Sequence, residues 1–224
     1  RGNADEIFGG TGGEVGDGGE PAGGFGGGTP SVNVNDCVLV GNRAVSGGGV
    51  YNGSVSNSLF YRNSALLDGG GYWGAGGLRN CSFLENTAGG NGGGAHSGNA
   101  AIADCTFDGN SSVTNGGGLF VTVTAQIRNS SFLNNRSTFG GGSYNGTFNE
   151  TLFLGNVATN SGGGIFNPSF SSTTSSNCVF ADNLALTNGG GVAGGSWIWS
   201  QFTGNRAGLN GGGGYNCSIA NSTI

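Results

Sequence analysis

A run of three glycines returns eight times after residue 40 of this 224-residue chain, starting at Gly47, Gly69, Gly92, Gly116, Gly140, Gly162, Gly189 and Gly211. Each glycine costs about 0.5–1 kcal/mol relative to alanine inside a helix or strand, so such a run suits neither element on its own. Its return at intervals just above twenty residues marks it as one position of a repeated unit. The segments NSSFLNNRSTFGGG (from Asn129), CSFLENTAGGNGGG (from Cys81), CTFDGNSSVTNGGG (from Cys105) and CVFADNLALTNGGG (from Cys178) show that unit in full. Its pattern is small-x-Phe-x-x-Asn, a few residues, then Gly-Gly-Gly.

The apolar position is held by Leu39, Phe60, Phe83, Phe107, Phe132, Phe153, Phe180, Phe202 and Ile224. Three residues after the first eight stand Asn42, Asn63, Asn86, Asn110, Asn135, Asn156, Asn183 and Asn205. Successive apolar positions are 21, 23, 24, 25, 21, 27, 22 and 22 residues apart, and nearly all the variation falls after the triplet. Short β-prone runs at this period, with no helical periodicity, predict an all-β, Gly-rich β-solenoid of about nine to ten coils. Collagen is excluded, since only 3 prolines accompany 53 glycines.

Coils that stack by parallel strand pairing rise about 4.8 Å each, giving a rod on the order of 40 Å. Like residues then fall in columns. The phenylalanines predict an interior stack worth roughly 1.5–3 kcal/mol per ring. The asparagines predict an amide ladder, and asparagine's tolerance of left-handed backbone suits it to a sharp corner. Residues 31–224 carry the repeats, while 1–30 form an acidic Gly-rich segment that reads as a degenerate first coil or cap. Within it, GGTGGEVGDGGE (Gly9 to Glu20) weakly matches a calcium-repeat pattern, against a plain acidic lead.

These motifs resemble the repeats of chlamydial polymorphic outer membrane proteins, which carry Phe-x-x-Asn and Gly-Gly-Ala-aliphatic. Phe-x-x-Asn occurs seven times, from Phe60–Asn63 to Phe202–Asn205. The second motif survives as Gly-Gly-Gly before Val50, Leu119, Ile165 and Val192, and as Gly93-Gly94-Ala95 before His96. The resemblance covers residues 31–224. It implies a right-handed parallel β-helix, as in autotransporter passengers, displayed at a cell surface and typically used in adhesion.

Beyond each triplet lies a second column: Tyr51, Trp73, His96, Phe120, Tyr144, Phe166, Ala193 and Tyr215. Strand alternation sends it away from its neighbours Val50, Tyr72, Ala95, Leu119, Ser143, Ile165, Val192 and Gly214. The aromatics either form an outside ladder, which would mark an interface, or fill a roomy corner of the core. Four cysteines share one column, Cys37, Cys81, Cys105 and Cys178, with Ser58, Ser130, Thr151 and Ser200 as alternatives. Cys81 and Cys105 fall on successive coils within disulfide reach, but a small-residue stack of thiols is the plainer account.

Catalysis is not expected. β-Helix enzymes on polysaccharides need paired carboxylates or calcium-binding acids beside a Lys or Arg base. The column Asp36, Asn57, Asn80, Asp104, Asn129, Glu150, Asn177, Trp199, Asn221 never sets two acids side by side. Glu85 lies one coil from Arg62, a surface ion pair worth little. Lysine is absent and His96 is the single histidine, better placed as an aromatic substitute than as a base. No cofactor and no metal are expected. A formal charge of −5 without a basic cluster argues against nucleic acid, and no apolar run reaches membrane-helix length.

Methionine is absent, so the chain reads as a processed product or a fragment, and its last strand reads as uncapped. The resulting expectation is an extracellular or cell-surface structural protein that self-assembles into a filament or fibre by end-to-end stacking, its partner being a second copy of itself. The alternative is an adhesin contacting surface glycans or cell-surface proteins. A polysaccharide-active enzyme comes third.

Overall fold

The computed structural model describes residues 6–8, 29–30, 33–98, 100–122, 125–168 and 174–224. All the paired strands run parallel, in four sheets. One coil shows the plan. Leu59–Tyr61 lies in the first sheet, Ser64–Ala65 in the fourth, Tyr72–Gly74 in the second and Leu78–Arg79 in the third, and Ser82–Leu84 then lands on Leu59–Tyr61. The chain is thus a parallel β-solenoid with no helix among the described residues. It has about eight turns, fewer than the nine to ten expected. Three sheets hold nine strands and the fourth holds eight. Counting apolar positions counts strands, and nine strands in a file bound only eight circuits.

Register is set by the repeat. Phe83 pairs with Phe60 on one side and Phe107 on the other, and the rings stack at 4.6 Å and 4.8 Å between centroids. Phe132, Phe153, Phe180 and Phe202 continue the file at 4.8–4.9 Å and within 8° of parallel. Strand spacing dictates that separation, so each ring meets its neighbours as closely as stacked aromatics allow. Leu39 and the seven phenylalanines are at most 3% exposed. Ile224 departs from the file. Its neighbour Thr223 pairs with Gln201, which brings it over Phe202, yet it is 78% exposed because it has a neighbour on one side only.

The other walls complete the core. The second sheet turns Val50, Tyr72, Ala95, Leu119, Ser143, Ile165 and Val192 inward, each fully buried. The third contributes Val55, Leu78, Ile102, Ile127, Phe148 and Trp197. The fourth presents only small residues such as Ala44, Ala88 and Ala158. The Phe rings lie instead under the glycines. A Cβ on Gly94 would sit 2.9 Å from the Phe107 ring, one on Gly93 would run into the Gly117 and Ser111 carbonyl oxygens, and Gly92 takes φ +67°. The triplet therefore turns the chain, lets two backbones touch and leaves room for a ring, in that order.

The left-handed corners are not where the sequence suggested. No ladder asparagine has positive φ; the residue before each of them does, as at Gly41, Arg62, Glu85, Gly109, Asn134 and Asp182. The asparagine itself must keep ordinary backbone so that its side chain can turn inward to the next coil. A second left-handed corner falls at Asp36, Asn57, Asn80, Asp104, Asn129, Glu150, Asn177, Trp199 and Asn221. Asn and Asp tolerate this conformation, whereas for an indole it costs about 1–2 kcal/mol.

The variable lengths noticed in the sequence collect at one place, the connection from second to third sheet. It is 194–195 in one coil, 75–77 in another and 167–173 in the longest. Of the segment 1–30, only residues 6–8 and 29–30 are described, where Ile7 pairs with Leu39 and Pro30 with Tyr51. Gly9 to Glu20, with its calcium-like pattern, lies outside the described residues.

Candidate functional site

The inward asparagines form a continuous chain of hydrogen bonds. The side-chain oxygen of Asn110 accepts from Asn86 twice, from the backbone N–H at 2.9 Å and from the amide at 3.0 Å. The Asn110 amide donates to Asn135 Oδ1 at 3.0 Å and to the Phe83 carbonyl at 2.8 Å. Asn63, Asn86, Asn135, Asn156 and Asn183 repeat the arrangement, and Asn42 and Asn205 end it. From Asn63 to Asn183 the asparagines are fully buried, so these bonds must satisfy every polar atom. This column holds the rod together and offers nothing to a partner.

The cysteine column works in the same way at a corner. Cys81 donates its thiol to the Arg79 carbonyl at 3.1 Å, and Ser130 donates its hydroxyl to the Arg128 carbonyl at 2.9 Å. Ser130 Oγ also accepts from the Cys105 backbone N–H at 3.1 Å. One short S–H or O–H does the job, which explains why Cys, Ser and Thr interchange there. All five cysteines are thiols. The Cys105 thiol is pushed up by its hydrogen bond to Cys81 and by burial, and burial pushes Cys178 up to about 12.

The second aromatic column is the one that faces outward. Tyr51, Trp73, Phe120, Tyr144 and Phe166 are half-buried, backed by the fully buried members of the same strands. Tyr51 and Trp73 stack at 4.5 Å and 5°. Trp73–His96, His96–Phe120, Phe120–Tyr144 and Tyr144–Phe166 follow at 5.7, 4.7, 5.1 and 5.6 Å. Six residues thus form a continuous external ladder. Ala193, buried, leaves a rung without a ring, and Tyr215 beyond it is 40% exposed.

Beside this ladder runs a column that sequence reasoning missed, made of the residue before each triplet and polar at every one of them except Phe139. Asp68 Oδ1 accepts from the Asn91 backbone N–H at 2.7 Å and its amide at 3.0 Å. Asn91 Oδ1 in turn accepts from Thr114 at 2.8 Å and Asn115 at 2.7 Å. Asp68 Oδ2 lies 3.5 Å from His96 Nδ1, close enough for an ion pair but too long for a hydrogen bond, and that nitrogen has no hydrogen-bond partner. Burial raises the Asp68 carboxyl, but His96 and the Asn91 donors outweigh it and hold the group below its usual range. The pair is walled by Trp73 and Phe120. The adjacent hydroxyl, Ser97, is fully buried, on the other side of the strand by alternation, so the three do not form a nucleophile, base and acid in line. The contact joins residues of different columns on different coils, which is why lining up like residues did not reveal it.

The remaining charges are peripheral. Arg62 and Glu85 pair at 2.8 Å with both side chains more than half exposed, a contact that contributes little. Among the described residues no group of three or more His, Cys, Asp and Glu is placed to hold a metal ion. An open groove of about 390 Å³ runs along the left-handed corner by Asp36, Asn57 and Asn80. No helix among the described residues is long and apolar enough to cross a membrane.

Residues 104–122 and 150–168 match the family model described as the Chlamydia polymorphic membrane protein repeat. Each matched segment contains one set of the columns described above: Phe107, Asn110, Gly116–Gly118 and Leu119 in the first, and Phe153, Asn156, Gly162–Gly164 and Ile165 in the second. No curated protein and no solved structure matches the chain. These two segments are repeats of this type and the fold is the parallel solenoid that suits them, which supports a coarse surface location.

Proposed function

We propose that this solenoid of polymorphic membrane protein-type repeats is a non-catalytic adhesive rod at a cell surface. The observation that carries the reading is the outer ladder from Tyr51 to Phe166. Five large aromatic side chains stay half-exposed along one face, although the same coils bury a complete aromatic file inside. Contiguous apolar surface of this kind, flanked by the Asn and Asp side chains of the neighbouring column, is characteristic of interaction sites. The partner class is a cell-surface protein or glycan. The lack of catalysis rests on chemistry: the acids are dispersed, and the one acid–histidine pair has no nucleophile beside it. Saturable binding of the labelled chain to intact cultured cells tests the proposal. Replacing Trp73, Phe120 and Tyr144 together by serine should abolish binding while the unfolding transition persists; undiminished binding would refute it.

A second reading, end-to-end assembly into fibres, is favoured by the in-register stacking of like residues from coil to coil in all four sheets. Parallel strands with unpaired edges stack head to tail, and such contacts do not close. Electron microscopy across a concentration series distinguishes it, since isolated short rods at every concentration would exclude assembly.

A further inference from the structure

The three tryptophans occupy three different settings. Trp197 is buried and donates its indole N–H to the Gly194 carbonyl at 3.0 Å. Trp73 is stacked on Tyr51 in the outer ladder. Trp199 is 60% exposed and makes no ring contact or side-chain hydrogen bond among the described residues. It nevertheless occupies a left-handed corner, at φ +49°, where every other residue of the column is Asn, Asp or Glu. A bulky side chain held in a disfavoured backbone conformation and left mostly in solvent points to a role outside the fold.

Its neighbours in the column matter as well. Two steps of this column are linked by side chains, Asn80 to Asn57 at 3.0 Å and Asn129 to Asp104 at 2.7 Å, and no step from Glu150 to Asn221 is. Asn177 below Trp199 and Asn221 above it are exposed and have no side-chain hydrogen bond among the described residues. The coil rise sets these two amides about 9.6 Å apart with the indole between them. Gln201, also exposed, follows two residues later on the first sheet. No charged side chain stands in this stretch of the column.

We propose that Trp199, with Asn177 and Asn221, is a binding site for a neutral carbohydrate chain. A pyranose ring has an apolar C–H face and a rim of hydroxyls. The exposed indole can cover the face, and the two free amides can each donate to and accept from the rim. A phosphate or an acidic peptide would find no cation here. The site lies at the corner between third and first sheets, separate from the outer aromatic ladder, and it stands whether or not the ladder binds cells.

The test is a titration of the whole chain with cello-, chito-, malto- and manno-hexaose, followed by tryptophan fluorescence. At least one should give a saturable change in emission that disappears in Trp199→Asn. That variant restores the residue type of the column, so its thermal midpoint should rise by a few degrees even as binding is lost. Silence of the native chain to all four sugars overturns the proposal, as does an unchanged response in the variant. A lower midpoint in the variant also overturns it, because the indole would then be serving the fold. Loss of cell binding in Trp199→Asn with no sugar response would identify a protein partner at this corner and likewise overturn it.

Discussion

Replacing Asn110 by alanine should be among the most damaging single changes in this chain, although it removes no apolar surface. Four hydrogen bonds go with the side chain: two received from Asn86 and one given to each of Phe83 and Asn135. Asn135 Oδ1 keeps a partner, since the Asn110 backbone N–H still donates to it at 2.9 Å. The Asn86 backbone N–H and one amide hydrogen of Asn86 lose theirs at a fully buried site, while the Phe83 carbonyl keeps its place in the strand ladder. At about 1–3 kcal/mol per buried orphan, these two amount to roughly 2–6 kcal/mol, plus any void left by the amide. Asn42 supplies an internal control. It is equally buried, but its oxygen receives no hydrogen bond, and its amide donates to Asn63 Oδ1, which the Asn42 backbone N–H also reaches. Asn42→Ala should therefore cost no more than about 1 kcal/mol. Urea unfolding of the two variants, with the slope monitored because repeat arrays can lose cooperativity, measures the difference. Equal losses, or an Asn110→Ala loss below that of Asn42→Ala, would show that the ladder does not stabilise the rod through its bonds.

Three further outcomes follow from the same geometry. Gly117→Ala should prevent the coils from closing, because a Cβ there meets the Arg136 and Gly141 backbone; Gly41→Ala has open space and should cost only the left-handed penalty of about 1 kcal/mol, and circular dichroism melts would separate the two. Because the folded Asp68 carboxyl titrates below its unfolded value, its contribution to stability is complete above about pH 4 and is lost as pH falls through the folded value. Asp68→Asn should flatten that acid limb of the melting-temperature profile, and an identical limb would exclude Asp68 as its source. Cys178, its thiol raised to about 12, should resist alkylation at pH 8 in the folded chain and react on unfolding, as peptide mapping by mass spectrometry would show. Rapid modification in the folded state would count against its burial.

The columns were legible because solenoid register and sequence period are the same quantity: Phe83 must lie between Phe60 and Phe107 once each repeat closes one turn. What lay across columns was not legible. Asp68 and His96 belong to different coils and different positions in the repeat, and only the width of the second sheet's corner brings them together. The left-handed corner before each ladder asparagine was hidden by its composition, since Gly41, Arg62, Glu85, Asn134 and Asp182 share a backbone angle but no side-chain type. Trp199 could be seen in its column, but nothing in the sequence said that the column bends left-handed there. Ile224 was assigned by position, and position cannot say whether a neighbour covers it.

The concentration of length variation at the second-to-third sheet connection has a further consequence. Between the Phe position and the glycine triplet the length changes by a single residue at most, 8 from Phe132 to Gly140 against 9 from Phe107 to Gly116. After the longest second-to-third connection the next strand, Thr174–Ser176, still lands on its partners. A lineage can therefore rewrite one long edge of the rod, or duplicate whole coils, while its axis stays unchanged. Sequence diversity among molecules of this kind should accumulate as a seam along that edge.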